Sequence, residues 1–397
     1  MQEDNSQETK DQQDTDQENP FVYQHTKSFA QIMHALKSSL VLSTYQTGKV
    51  VMFSPKNESQ MIQLPRNFKK PMGVASHDRH LAIACLNEIV LTHRSSNAAK
   101  AYPNKPDVYD AIYLPRSSHY TGSVDTHDIS YGKGGLWAVI TQFSCIAQLD
   151  PRFSFLPKWK PHFITDLAPG DRCHLNGMTM KDGIPKYVTA LGKSDKPGGW
   201  RDNKLKGGIL MDVETNEILL EGLAMPHSPR LVGDDIYYLQ SADGELWKYH
   251  VPSKSNEKIC DVPGFARGMS FYQNFLFIGL SKIRENSKDF GKMPIASKNP
   301  IAGVAIVNLR TKQVEGLLEY KNAVKELYDV HILPGVIRPN ILNTLGDMHT
   351  RSIITPKRIF WQEPPKEKEP SEEPESSKTD TTIDSGTSVD NDNYAKT

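Results

Sequence analysis

Between residues 40 and 340 the apolar positions do not keep a helical period. They fall in short runs rich in Val, Ile, Leu, Tyr and Phe, split by turn residues, the pattern of short antiparallel strands. Gly132-Lys133-Gly134-Gly135, Gly233-Asp234 and Ala242-Asp243-Gly244 are such turns. Three runs come first, at 40–45, 49–54 and 61–65. Groups of four follow, at 72–76, 81–86, 89–93 and 109–114, then 127–131, 136–141, 145–150 and 162–167. Three more groups occupy 174–223, 227–262 and 267–320, and a single run at 327–333 stands alone.

Matching positions in these groups fall at 72, 127, 174, 227, 267 and 331, which are 55, 47, 53, 40 and 64 residues apart. The shortest interval is close to the roughly 40–45 residues of a four-stranded propeller blade. The longer ones hold insertions, at 192–207 and 281–300. The lone run supplies the first strand that 40–65 lacks, so the two ends of the domain make a sixth blade and leave no open sheet edge. The expected fold is all-β, a six-bladed β-propeller over 40–340 closed by its N- and C-terminal strands.

A helical period appears only upstream, in Phe29, Ile32, Met33, Leu36 and Leu40, and predicts a short amphipathic helix within 20–39 packed on the propeller. Residues 341–363 should run back over the outside, anchored by Ile353, Ile354, Ile359, Phe360 and Trp361. The ends, 1–19 and 364–397, are acidic and of low complexity, with too little apolar surface to offset ordering entropy; both are expected to be disordered tails.

Charge sharpens the picture. The 397 residues hold 47 bases and 47 acids, yet 1–19 and 363–397 each carry a net −6, which leaves 42 bases against 30 acids between them. A body of net +12 suits small anionic molecules or acidic partners, or is a solvated basic surface balanced by the tails. Four scattered cysteines with no CxxC pair give neither a zinc knuckle nor a disulfide framework. No apolar leader follows Met1, and no run reaches the ~18 apolar residues of a membrane span. These features predict a cytoplasmic protein without membrane or nucleic-acid partners.

Candidate chemistry gathers where the groups begin. Asp171-Arg172-Cys173-His174-Leu175-Asn176-Gly177 packs two charges, a thiol, an imidazole and an amide ahead of a strand, a costly density unless those groups meet partners, ligand or water. Thr126-His127-Asp128, Pro226-His227-Ser228-Pro229-Arg230, Arg267-Gly268 and Tyr328-Asp329-Val330-His331 stand at matching positions. Alternate loops of a blade lie on opposite faces, so these polar entrances share one mouth of the channel with both insertions. The candidate ligand-binding set is therefore His127, Asp128, Asp171, Arg172, His174, Asn176, Trp200, Arg201, His227, Arg230, Arg267 and His331. Four converging imidazoles, His127, His174, His227 and His331, would suit a transition metal such as zinc or iron. The competing reading is that each histidine bonds the backbone of its own blade. Ser228 lies in no GxSxG elbow, and Cys173 beside His174 reads as a buried thiol before an activated one.

Gly135-Leu136-Trp137, Phe143-Ser144-Cys145, Asp171 to Gly177, Gly199-Trp200-Arg201, Met225-Pro226-His227-Ser228-Pro229-Arg230 and Gly279-Leu280-Ser281 resemble, in order, an uncharacterised and mostly bacterial family of conserved hypothetical proteins. The resemblance spans about residues 40–340 and departs at Ala266, where the family more often has a hydroxyl residue. It implies a propeller-like domain and carries no catalytic residue onto this sequence. Three functions compete: a propeller binding a small anionic or polar ligand, or a peptide, at a His/Arg-lined mouth; a metal-dependent, His-ligated hydrolase or oxidoreductase; and a protein-interaction scaffold.

Overall fold

The computed structural model describes residues 21–103, 105–283, 291 and 293–363. The acidic ends expected to be disordered, and Arg284 of the second insertion, lie outside the described residues.

Six sheets of antiparallel strands form a six-bladed β-propeller. Blade 1 is made from both ends of the domain. Asp329–Pro334 pairs with Ser38–Thr44 in the register Ser43↔Asp329 to Ser38↔Pro334, and Lys49–Pro55 and Met61–Asn67 complete the sheet. Blade 2 holds Val74–His77, His80–Ala84, Glu88–Ser95 and Ala111–Tyr120. Blade 3 holds Thr126–Gly132, Gly135–Ile140, Cys145–Gln148 and Leu156–Trp159. Blade 4 runs Leu175–Lys181, Ile184–Ala190, Gly208–Asp212 and Ile218–Leu223, and blade 5 Pro226–Val232, Asp235–Gln240, Glu245–His250 and Ser255–Asp261. Blade 6 is Phe265–Tyr272, Phe275–Ser281, Ala302–Asn308 and Gln313–Tyr320, with Tyr23–His25 added at its outer edge.

The inner strands are apolar on both faces because each blade is covered by two neighbours. Ala138 and Ile140 pack toward blade 2, while Trp137 and Val139 between them pack toward blade 4. The period of two is intact, but both halves of it are core, so inner strands read as continuous apolar runs. Where the inner strands crowd the axis, side chains must be small. A Cβ on Gly268, which adopts φ +74°, would lie 2.5 Å from the Cα of Asp329 in blade 1, and one on Gly177 would lie 2.6 Å from the Pro229 ring.

Lys27–Ala35 is the expected helix, started by the Thr26 hydroxyl accepting the Phe29 N–H and buried through Phe29, Ala30 and Met33 against blades 6 and 1. Leu40 belongs instead to the strand Ser38–Thr44. The outer strand of blade 3 is Leu156–Trp159 rather than 162–167. Pro161 has no N–H to give a ladder, its carbonyl accepts from Ile164 N in a turn, and Ile164 fills the core between blades 3 and 4. Beyond the ring, Pro339–Ile341 pairs in parallel with the outer strand of blade 2, and Ser352–Ile354 with Ile359–Trp361 forms a hairpin. Ile354, Ile359 and Trp361 pack on Ala98, Tyr102 and Tyr109, whereas Ile353 and Phe360 face outward and anchor nothing. Among the described residues no helix is long and apolar enough to cross a membrane.

Candidate functional site

Where inner strands begin, blades 3, 4 and 5 bring His127, His174 and His227 to one mouth of the channel, lining a cavity of about 300 Å³. His127 and His227 are built alike. Nδ1 of each faces the carbonyl two residues earlier, Asp125 at 3.2 Å or Met225 at 3.0 Å, and a hydroxyl just past the second strand of its blade, Thr141 or Ser241, at 2.8 Å. Each hydroxyl has one proton, which goes to the next blade: Thr141 to the carbonyl of Leu175 and Ser241 to that of Ala266, both at 2.6 Å. The hydroxyl must then accept from the imidazole. That fixes the ring proton on Nδ1 and leaves Nε2 as a bare acceptor. Burial pushes both rings well below the usual histidine range, and the charges of His174 and Arg267 push the same way.

Backbone strain gathers here too. Asp125 (φ 56°), Met225 (φ 53°) and His174 (φ 51°) are left-handed. For a residue such as Met this costs about 1–2 kcal/mol, and it persists only where the surroundings over-determine it.

His174 is held differently. Its Nδ1 lies 2.8 Å from Asp171 Oδ1, while Asp171 Oδ2 accepts from Trp200 Nε1 at 2.9 Å and from Arg201 at 3.2 Å. The His174 ring lies 4.4 Å from the Trp200 ring and meets His127 edge-on at 4.7 Å. The first insertion thus contributes Trp200, Arg201 and Lys204 to the rim, and Lys282 and Ile283 come from the start of the second. Arg267 lies over the Tyr328 ring at 3.7 Å and pairs with Glu326 at 3.4 Å. Cys173, fully buried, has its thiol pushed up to about 12 by burial and is no nucleophile.

Below the cavity the channel is plugged, with a void of only about 10 Å³. Asp128 accepts from Met178 N at 3.1 Å and from Arg230 at 3.4 Å, and Arg230 Nε donates to Met269 O at 2.7 Å. Asp329 accepts from Val74 N and Val330 N, both at 2.8 Å, and burial with the nearby Asp128 charge pushes its carboxyl up to about 7.

Six of the twelve residues singled out from sequence therefore line the cavity: His127, His174, Trp200, Arg201, His227 and Arg267. Asp171 backs them. The other five do not reach it. His331 sits in the plug, its Nε2 2.7 Å from Ser76 Oγ, and is pushed down to about 4 by burial and by Arg230. Asp128 and Arg230 knit blades 3 to 6 across the axis, and Asn176 ties Thr189 to the carbonyl of Pro226. Arg172 pairs with Asp195 under the first insertion at 2.7 Å. The four-histidine metal set does not form, because His331 lies a layer deeper; among the described residues no three His, Cys, Asp or Glu side chains are placed to hold a metal ion. Sequence reasoning missed Tyr45, Phe265, Glu326 and Tyr328 as lining residues. Tyr328 and Glu326 occupy entrance positions like the histidines, but Tyr45 gives no signal.

No curated protein matches the sequence. A chain in the crystal structure of a nidogen/laminin complex is similar to this one at 11% identity and a TM-score of 0.48, over 75% of this chain and 99% of that chain. Residues 27–342 match the profile of a domain of unknown function, DUF4915, and the chain belongs to that family.

Proposed function

We propose that the mouth cavity binds a small anionic or polar molecule and that this is the protein's function. The observation that carries the reading is the pair of tautomer-fixed imidazoles, His127 and His227, whose Nδ1 protons are given to the protein while both rings line one cavity. Bare Nε2 atoms accept hydrogen bonds from hydroxyl or N–H groups of a ligand. Arg201, Lys204, Arg267 and Lys282 outnumber the lining acids Asp125 and Glu326, so the field favours an anion. Tyr45, Trp200, Phe265 and Tyr328 supply flat apolar walls, and a cavity of this size with a few fixed polar groups suits a small molecule. A hydroxy acid or sugar acid fits this chemistry.

Thermal shift against sugar acids, hydroxy acids and phosphate monoesters, with neutral polyols and amines as controls, tests the reading. Acids bearing hydroxyls should raise Tm, and His174→Ala should remove that rise while leaving the unliganded Tm within a few degrees. Equal shifts from neutral and anionic compounds, or a rise that survives both His174→Ala and Arg267→Ala, would refute it.

A further inference from the structure

A second hollow shares no residue with the mouth. A cleft of about 630 Å³ opens on the flank of blade 2, between the tip of the hairpin around Thr355 to Arg358 and the residues from His93 to Asn97. Arg79, Arg94, Lys357 and Arg358 converge on it, with His93 at its wall and His80 lining the adjoining hollow. Asp78 is the only carboxylate among the described residues lining either hollow. None of the four cations has an ion-pair partner among the described residues.

The cleft is also partly preformed. Arg94 lies beside the buried Tyr113, close enough for its charge to act on that hydroxyl. The hairpin tip is tied by Thr355 N donating to Arg358 O and by Arg358 N donating to the Thr355 hydroxyl. The His80 and His93 rings meet edge-to-face at 5.0 Å. So many like charges facing one hollow repel each other, and a multiply charged anion relieves the repulsion. The His93 imidazole registers it: burial lowers its proton affinity, and His80, Arg79, Arg116 and Arg94 all lower it further.

We propose that this cleft binds a small phosphorylated molecule, its phosphoryl oxygens taken by Arg79, Arg94, Lys357 and Arg358. Arginine forks match phosphoryl oxygens in pairs, and the volume suits a small molecule. The inference does not depend on the ligand proposed for the mouth.

The test is calorimetric titration of the full chain with inorganic pyrophosphate at low salt, with the His93 ring signal followed by NMR. Pyrophosphate should bind and shift His93. Lys357→Glu with Arg358→Glu should weaken binding by about a hundredfold or more, roughly tenfold for each charge-assisted hydrogen bond removed. Both side chains are exposed at a hairpin tip, so the variant should fold, and exposed Arg79→Glu gives an independent check. Arg201→Glu, at the mouth, should leave the His93 shift with pyrophosphate unchanged. No heat at millimolar pyrophosphate, or binding lost in Arg201→Glu but kept in the Lys357/Arg358 variant, would overturn the proposal. Tighter binding of single-stranded RNA than of pyrophosphate, lost in that variant, would overturn it in favour of a polymer.

Discussion

Replacing Thr141 by Val isolates the hydroxyl that both seals a blade seam and sets a tautomer. Val has nearly the shape of Thr, so no cavity opens and the loss is one of hydrogen bonding. Thr141 is fully buried. Its hydroxyl donates to Leu175 O of blade 4 at 2.6 Å and accepts from His127 Nδ1 at 2.8 Å. Without it the Leu175 carbonyl loses that donor in a buried seam, at a cost of about 1–3 kcal/mol. His127 keeps the Asp125 carbonyl, at the longer distance of 3.2 Å, so the Nδ1–H form is favoured less strongly. Urea unfolding should therefore show a loss of about 1–3 kcal/mol with an unchanged slope. Nitrogen-15 spectra of the His127 ring should show a larger share of the Nε2–H tautomer. A loss below about 0.5 kcal/mol together with an unchanged tautomer would refute the account, because either role alone produces a visible change.

Two further outcomes follow from the closure and the plug. Ending the chain at Tyr328 removes the inner strand of blade 1 and exposes the edge of Ser38–Thr44, so the truncated protein should lose its cooperative melt; a sharp transition near that of the full chain would count against ring closure. Stability should also fall on acidification: His331 has a folded pKa of about 4 against roughly 6.5 unfolded, and His127 and His227 are likewise lowered, so below pH ~6.5 the unfolded chain takes up protons the folded one refuses. Asp329, raised to about 7, and Asp243, also raised by burial, act oppositely and lose stability as pH rises above about 4, but these two carboxyls face four lowered histidines once His93 is counted, so Tm should be lower at pH 5 than at pH 7, and a higher one would refute the balance.

The architecture was legible because its signals are local and repeated: strand runs, turns, and the orphan run at 327–333 that needed 40–65 as its partner. The outer strand of blade 3 was misplaced for a local reason as well. Apolar residues near 164 satisfy the strand pattern, but Pro161 breaks the ladder, and the pattern alone does not tell an outer strand from a loop that fills a seam.

The site was half legible, and the division is physical. The inner strands carry a polar residue wherever the axis must be bridged, and those residues serve two layers. At the mouth, hydroxyls and carbonyls absorb one side of His127 and His227 and leave the other side open. One layer down, the same kind of residue is used up by its neighbours. The carboxylates of Asp128 and Asp329 and the hydroxyls of Thr179, Ser228 and Ser270 each accept a backbone N–H from the next blade. A shift of a few positions along one strand thus moves a side chain from cavity to seam. His331 stands two residues inside its strand where His127 and His227 stand one, and Arg230 lies three residues past His227. Register within the inner strand decides between the two uses. That register depends on the irregular pairing between Ala138 and Ile140 and between His227 and Arg230, where an extra residue bulges. Residue type gives no sign of a bulge, so the deeper layer was indistinguishable from the mouth until the strands were paired.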